Sequence, residues 1–350
     1  MGWPEFKAQF SSTDFASGRA TLALTEVWQQ GCHGSFDSVT NTRSKSGLPQ
    51  SLRLHYSYWL PNSARAVLVL IPGRIEAGHK YLELIHEALC AGFAVFVLDH
   101  QGQGASERLD SSSQIGDVAD FNHYVADLEY FICRIIKPQT ALPLLALAHS
   151  MGGGILCRYL QQHPNHGLAG AIFCSPMWGI PTGPIPQQMA RGLSNACNRL
   201  NQWCCRQRWY VPGQGPYQNR PFQDNDLTRC AERYQWFRSL YQQYPAYQLG
   251  GVSWRWLAQA LTACQQMLQG DSPSLPCLLL QAAADQVVDN KAQQRLWQRF
   301  RQTTDWHPAS IMHQLPDARH ELLFETDAIR EQVLSLINQF LKQLELPQVV

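Results

Sequence analysis

Ser150 is the residue in this chain best placed to do chemistry. It ends the apolar run Leu144-Leu145-Ala146-Leu147-Ala148-His149 and is followed by Met151-Gly152-Gly153-Gly154. A buried strand that delivers a serine to a tight, strained turn opening a helix is a nucleophile elbow. Ala148 and Gly152, two positions either side of Ser150, must be small to let strand and helix approach. The usual pattern is G-x-S-x-G, and Ala148 stands where the first glycine is usual. A serine hydroxyl is a weak nucleophile until a base takes its proton, so it needs a histidine, and that histidine needs a carboxylate to fix its tautomer. In such folds the order along the chain is serine, acid, histidine. The run Leu275-Pro276-Cys277-Leu278-Leu279-Leu280-Gln281 leads to Asp285, just past a strand end, where the acid belongs. Asp289 reads instead as the cap of a helix starting near Asn290. His320 lies on a loop after the next strand and completes the set. His307 precedes that strand and His313 lies within it, so both fit the role less well.

Acyl transfer at such a serine develops an oxyanion, which preorganised backbone N–H groups must stabilise. The amide of Met151, directly after Ser150, is one expected donor. The other is the amide of Arg74, not its side chain, in the loop Ile71-Pro72-Gly73-Arg74-Ile75 after an early strand. The glycine-rich Asp99-His100-Gln101-Gly102-Gln103-Gly104-Ala105-Ser106 lacks the spacing of a dinucleotide fingerprint, so it reads as a structural turn close to the elbow and no cofactor is expected. Neither a C-x-x-C pair nor H-E-x-x-H occurs, so no metal site is expected either.

The elements that must hold these residues form an alternating pattern. Strands are expected at 52–59, 66–71, 94–98, 144–148, 170–174, 277–281 and 310–314, separated by helices with apolar stripes such as Leu82, Ile85 and Leu89, which stops at Gly92. Another stripe runs Phe121, Val125, Leu128, Phe131, Ile132 and Ile135, and a last one Ile329, Val333, Ile337 and Phe340. This is the signature of an α/β fold with a mostly parallel sheet. At 350 residues and 45% hydrophobic content the chain can bury one large core. A net charge of +1 argues against a general nucleic-acid binder. Residues 1–20 lack an apolar signal region and no run approaches the roughly 20 apolar residues of a membrane span. The eleven scattered cysteines read as reduced thiols in core positions.

Residues 177–270 break the rhythm with proline and glycine clusters and Trp178, Trp203, Trp209, Trp236, Trp254 and Trp256. They read as an inserted helical cap over the carboxyl ends of the strands, where open α/β sheets bind ligands. Between 191 and 238 this segment has eight arginines (191, 199, 206, 208, 220, 229, 233, 238) against the three acids Asp224, Asp226 and Glu232. Arginine with tryptophan suits contact with phosphate-bearing lipid. A solvated cap whose tryptophans form its own small core fits the same residues. The resulting division is an extension at 1–45, an α/β core at 46–176 and 271–350, and the cap at 177–270.

Taken together, Pro72-Gly73-Arg74-Ile75-Glu76 with Lys80-Tyr81, the turn at 99–106, Ala148-His149-Ser150-Met151-Gly152-Gly153, Ser175-Pro176-Met177-Trp178-Gly179-Ile180, 281–290 and His320-Glu321-Leu322-Leu323-Phe324-Glu325 resemble one family. It is the lysophospholipase L2 group of Gram-negative bacteria, within the monoglyceride-lipase-like α/β-hydrolases of the serine aminopeptidase S33 type. The resemblance runs from about residue 50 onward, and the first 45 residues or so add nothing to it. It implies an α/β-hydrolase fold and hydrolysis of the remaining acyl ester of lysophospholipids, with some acyl transfer to another lipid. It also implies a cytoplasmic protein held peripherally on the inner face of the inner membrane. Monoacylglycerols or small carboxylic esters are the alternative substrates. A lipid-binding module with an idle serine, histidine and aspartate is the non-enzymatic alternative.

Overall fold

A computed structural model describes residues 2–43, 49–109, 114–205 and 207–344. Its centre is an eight-stranded sheet: β1 (Cys32–Arg43), β2 (Pro49–Trp59), β3 (Ala66–Ile71), β4 (Phe93–Leu98), β5 (Leu144–His149), β6 (Leu168–Cys174), β7 (Cys277–Ala282) and β8 (Ile311–Leu315). The strand order is β1-β2-β4-β3-β5-β6-β7-β8. Only β1 with β2 and β2 with β4 pair antiparallel; β4, β3, β5, β6, β7 and β8 run parallel. The runs that make β3, β4, β5 and β7 are apolar but for His149 and Gln281 because these strands are covered on both faces, and every residue in them is buried.

The helices are α1 (Ser12–Ala16), α2 (Arg19–Gln30), α3 (Leu82–Ala91), α4 (Asn122–Tyr130), α5 (Met151–Gln162), α6 (Gln187–Cys204), α7 (Ala231–Gln243), α8 (Trp254–Gln269), α9 (Asn290–Phe300) and α10 (Asp327–Gln343). Gly92 ends α3 at φ 101°, a left-handed cap that suits glycine. The stripe after Phe121 forms α4 and then widens into a π-helical turn at Phe131–Ile136. Asp289 caps α9, its carboxylate accepting from the amides of Lys291 and Ala292. All eleven cysteines are free thiols; five are buried, but Cys32, Cys90, Cys204 and Cys205 are exposed rather than core-filling.

The seven expected strands are present. β1 was not foreseen, and it lies within the stretch set apart as an extension. It pairs with β2 from Cys32 opposite Tyr58 to Arg43 opposite Pro49, with an irregularity between Asp37 and Asn41. Buried Asp127 on α4 fastens it, accepting from Ser38 Oγ at 2.7 Å and from the Val39 amide. Residues 3–27 pack as well: Trp3, Phe6, Phe15, Leu24 and Val27 are buried with the sheet's second hydrophobic layer.

Candidate active site

Ser150 sits between β5 and α5 with φ 51° and ψ −118°, a conformation that costs a non-glycine residue about 1–3 kcal/mol. Its neighbours hold it there. The Ser150 amide donates to Cys174 O on β6, and its carbonyl accepts from the Gly153 and Met177 amides. Gly152 admits no side chain, since a Cβ there would lie 2.1 Å from Ile71 O. A Cβ at Gly153 would meet Pro176 at 2.5 Å. The small residues are therefore required by the close approach of α5 to the ends of β3 and β6.

The three residues expected to cooperate lie in one hydrogen-bonded chain. Asp285, after β7, takes Val287 and Val288 amides on Oδ1 and presents Oδ2 to His320 Nδ1 at 2.7 Å. A carboxylate only accepts, so Nδ1 carries the proton and Nε2 is left bare. Ser150 Oγ lies 2.9 Å from that Nε2. His320 is 3% exposed and the Asp285 side chain fully covered, so the chain is shielded from water up to the hydroxyl. His313 lies within β8 and His307 ahead of it, outside this arrangement.

Among the described residues neither the Met151 nor the Arg74 amide has a hydrogen-bond acceptor, and both residues line the cavity over Ser150. A Cβ at Gly73 would come within 3.0 Å of Ser150 Cβ, which brings the loop after β3 against the elbow. The turn at 99–106 braces that loop. Gln103 Nε2 donates to Gly73 O at 2.6 Å and His100 Nε2 lies 3.2 Å from Pro72 O. Burial pulls His100 down to about 4, so it stays neutral beside that carbonyl.

Behind Ser150 is a buried charge cluster whose members stand out in the sequence only within the motifs of the family resemblance. Lys80 Nζ lies 2.5 Å from Glu76 Oε1 and 2.7 Å from Glu321 Oε1. Glu76 also accepts from the Gly73 amide and the Tyr81 hydroxyl. His149 has its Nδ1 3.3 Å from the Glu76 carboxylate and its Nε2 3.3 Å from His320 O. Burial lowers the basicity of His149, but the Glu76 and Glu321 carboxylates outweigh it and hold its pKa above the ordinary value. Burial disfavours charge on Glu76 too, yet Lys80 and His149 overcome this and keep it well below the usual carboxylate range. Glu76, His149 and Glu321 bring ligand atoms within 4.8 Å of one another, as a metal site would. The Lys80 ammonium already stands between the two carboxylates and supplies the cation there.

The cavity over Ser150 has a volume of about 310 Å³, and its wall is largely apolar, including Met177, Ile180, Val252, Trp256, Leu257 and Val288. α7 contributes Phe237, Arg238 and Tyr241 to this wall, and α8 contributes Trp256 and Leu257. The arginines of this segment divide. Arg233 is buried and held by Glu83 and Asp327, and Arg208 faces Asp117, so neither is free for a lipid phosphate. Arg206 lies outside the described residues. Trp178 and Trp256 are buried, whereas Trp203 is 85% exposed.

The model of the family described as Serine aminopeptidase, S33 matches residues 62–327. The chain belongs to this family. The S33 chain is 33% identical to "Lysophospholipase L2" of Escherichia coli (strain K12), over 93% of its own length and 91% of that protein. Covering 93% of 350 residues, that match must take in part of the first 45, which were expected to lie outside the resemblance. It is also 33% identical to "Probable lysophospholipase L2" of Haemophilus influenzae, over 83% of this chain and 89% of that one. Among solved structures, a soluble variant of monoglyceride lipase from Saccharomyces cerevisiae superposes with a TM-score of 0.61 at 19% identity, covering 89% of this chain and 97% of that one. The S33 chain is thus an α/β-hydrolase in fold and a carboxylic ester hydrolase in class.

Proposed function

We propose that this hydrolase cleaves the acyl ester of lysophospholipids through a covalent intermediate on Ser150. The reading is carried by Ser150 Oγ lying 2.9 Å from His320 Nε2 at the wall of an apolar cavity. The 33% identity to a lysophospholipase L2 supports the substrate class. His320 takes the hydroxyl proton as Ser150 attacks the acyl carbonyl, and Asp285 holds the imidazolium that forms. The oxyanion is received by the Met151 and Arg74 amides, each such donor being worth about 10² to 10³ in rate. His320 then gives its proton to the departing glycerol oxygen. Water, activated by the same nitrogen, releases the fatty acid, and a second lipid hydroxyl in place of water gives acyl transfer.

The surface supports peripheral contact with a membrane. Ile185, Met189, Leu193, Leu200 and Trp203, all on or just before α6, are five of the ten exposed large apolar residues in the described chain. The helix carries Arg191 and Arg199 and no acid. On the helix Arg199 borders the face of Met189, Leu193, Leu200 and Trp203, and an apolar face beside a cation and free of acids suits an anionic bilayer surface. No helix among the described residues is long and apolar enough to cross a membrane.

A monoacylglycerol substrate is the second reading, favoured by 31% identity over 121 residues to human "Monoglyceride lipase". Fatty acid release by the purified protein from lysophosphatidylethanolamine and from monoacylglycerol of the same chain separates the two. Faster turnover of the lysophospholipid is expected; release from monoacylglycerol alone overturns the first reading.

A further inference from the structure

Two cavities adjoin, sharing Arg74, Ile75, Gln214, Leu227, Arg238 and Val287 in their walls. The first, over Ser150, is the apolar one already described; the second, about 380 Å³, has a mixed wall that includes Tyr217, Tyr234, Asp224 and Asp226. Arg74 and Arg238 line both. Among the described residues neither has a carboxylate partner, in contrast to Arg233, Arg255 and Arg330, each of which is paired. The Arg74 guanidinium donates one hydrogen bond, to Gly250 O at 2.8 Å, and lies 5.8 Å from the Trp256 ring centre. Arg238 donates to Asn219 Oδ1 and Gln218 O and lies 4.8 Å over Tyr217 and 5.7 Å over Tyr234.

A guanidinium has five N–H donors, so both keep donors in hand. Neutral acceptors and aromatic faces fix their direction without cancelling their charge. Half-buried, oriented, uncompensated arginines favour a monoanion with paired oxygens, and a phosphodiester is such a group.

We propose that Arg238 and Arg74 form the subsite for the phosphodiester of the substrate, at the junction of an acyl cavity and a head-group cavity. The acyl chain runs past Ser150 along the apolar wall. The remainder of the head group enters the second cavity, where Asp224 and Asp226 offer carboxylates to a cationic ethanolamine end. The assignment rests on the lysophospholipid reading and adds the residues that would distinguish that substrate from a neutral ester.

The test is the ratio of kcat/KM for 1-palmitoyl lysophosphatidylethanolamine to that for 1-palmitoylglycerol, which does not depend on the folded fraction of a variant. In Arg238→Gln the ratio should fall about 10- to 100-fold, the loss of a charge-assisted contact. In Arg229→Gln, an exposed arginine lining neither cavity, it should stay within about twofold. In the unsubstituted protein, glycerophosphoethanolamine should inhibit p-nitrophenyl butyrate hydrolysis competitively and glycerol at the same concentration should not. An unchanged ratio in Arg238→Gln, an equal fall in both variants, or equal inhibition by glycerol overturns the subsite and leaves the lysophospholipid reading standing. Failure of the unsubstituted protein to cleave the lysophospholipid overturns both.

Discussion

Gln103 Nε2 donates a 2.6 Å hydrogen bond to the carbonyl oxygen of Gly73, and that carbonyl shares a peptide plane with the Arg74 N–H. In a trans peptide the two groups point in opposite directions. Holding the carbonyl from one side therefore fixes the N–H toward the other, where an oxyanion would form. Gln103→Leu should lower kcat about 10- to 100-fold, up to the value of one oxyanion donor, with little change in KM. Gln103→Glu has the same shape but, ionised, only accepts, so it should share the loss. A steady-state comparison with retained kcat in both variants would remove Gln103 from any orienting role.

Lys80 ties two loops together. Its ammonium bridges Glu76, which holds the Gly73 amide, and Glu321, the residue after His320. Lys80→Met leaves buried carboxylates without their cation, a change that typically costs about 3–5 kcal/mol. Urea unfolding should show that loss, and equal stability of the two proteins would contradict it.

Asp127 supplies a pH signature. Burial raises its pKa from 3.8 to about 6, against the hydrogen bonds from Ser38, Val39 and Gln101 that favour the carboxylate. The folded protein therefore binds more protons than the unfolded chain between those values, and stability falls as pH rises through that window. That difference corresponds in full to about 3 kcal/mol. Asp127→Asn removes the slope, and its new N–H₂ can donate to Gln101 Oε1, a buried oxygen without a partner, once that amide turns over. Relative to the Asn variant, the unsubstituted protein should lose about 2 kcal/mol between pH 4 and pH 7. Parallel stability curves would contradict the assignment.

The face of α6 is tested by sedimentation with vesicles containing phosphatidylglycerol. Leu193→Ser with Trp203→Ser should weaken partitioning at least tenfold, because each buried apolar side chain contributes about 1.5–3 kcal/mol. Equal partitioning of variant and parent would remove α6 from the contact.

That Ser150, Asp285 and His320 come together could be read from the sequence because each lies beyond the end of a strand, β5, β7 and β8, and strand ends in a parallel sheet gather at one edge. β1 could not. Its sequence, Cys32-His33-Gly34-Ser35-Phe36-Asp37-Ser38-Val39-Thr40-Asn41-Thr42-Arg43, carries glycine, aspartate and asparagine, which strands disfavour, and it needs few apolar residues as an edge strand. The Lys80 cluster was hidden for a different reason. Lys80 and Glu321 are 241 positions apart, and charged residues are expected at the surface unless a partner is known. Arg233 misled in the same way: counted among cap cations, it is instead buried against Glu83 of α3.

The central claim is that Ser150 is the nucleophile. The most direct measurement is the intact mass and peptide map of the protein after a fluorophosphonate probe, beside fatty acid release from lysophosphatidylethanolamine. One adduct per chain on Ser150 is predicted, with neither adduct nor release above about 10⁻⁵ of the parent rate in Ser150→Ala. Full release by Ser150→Ala, or an adduct on another residue, would contradict it.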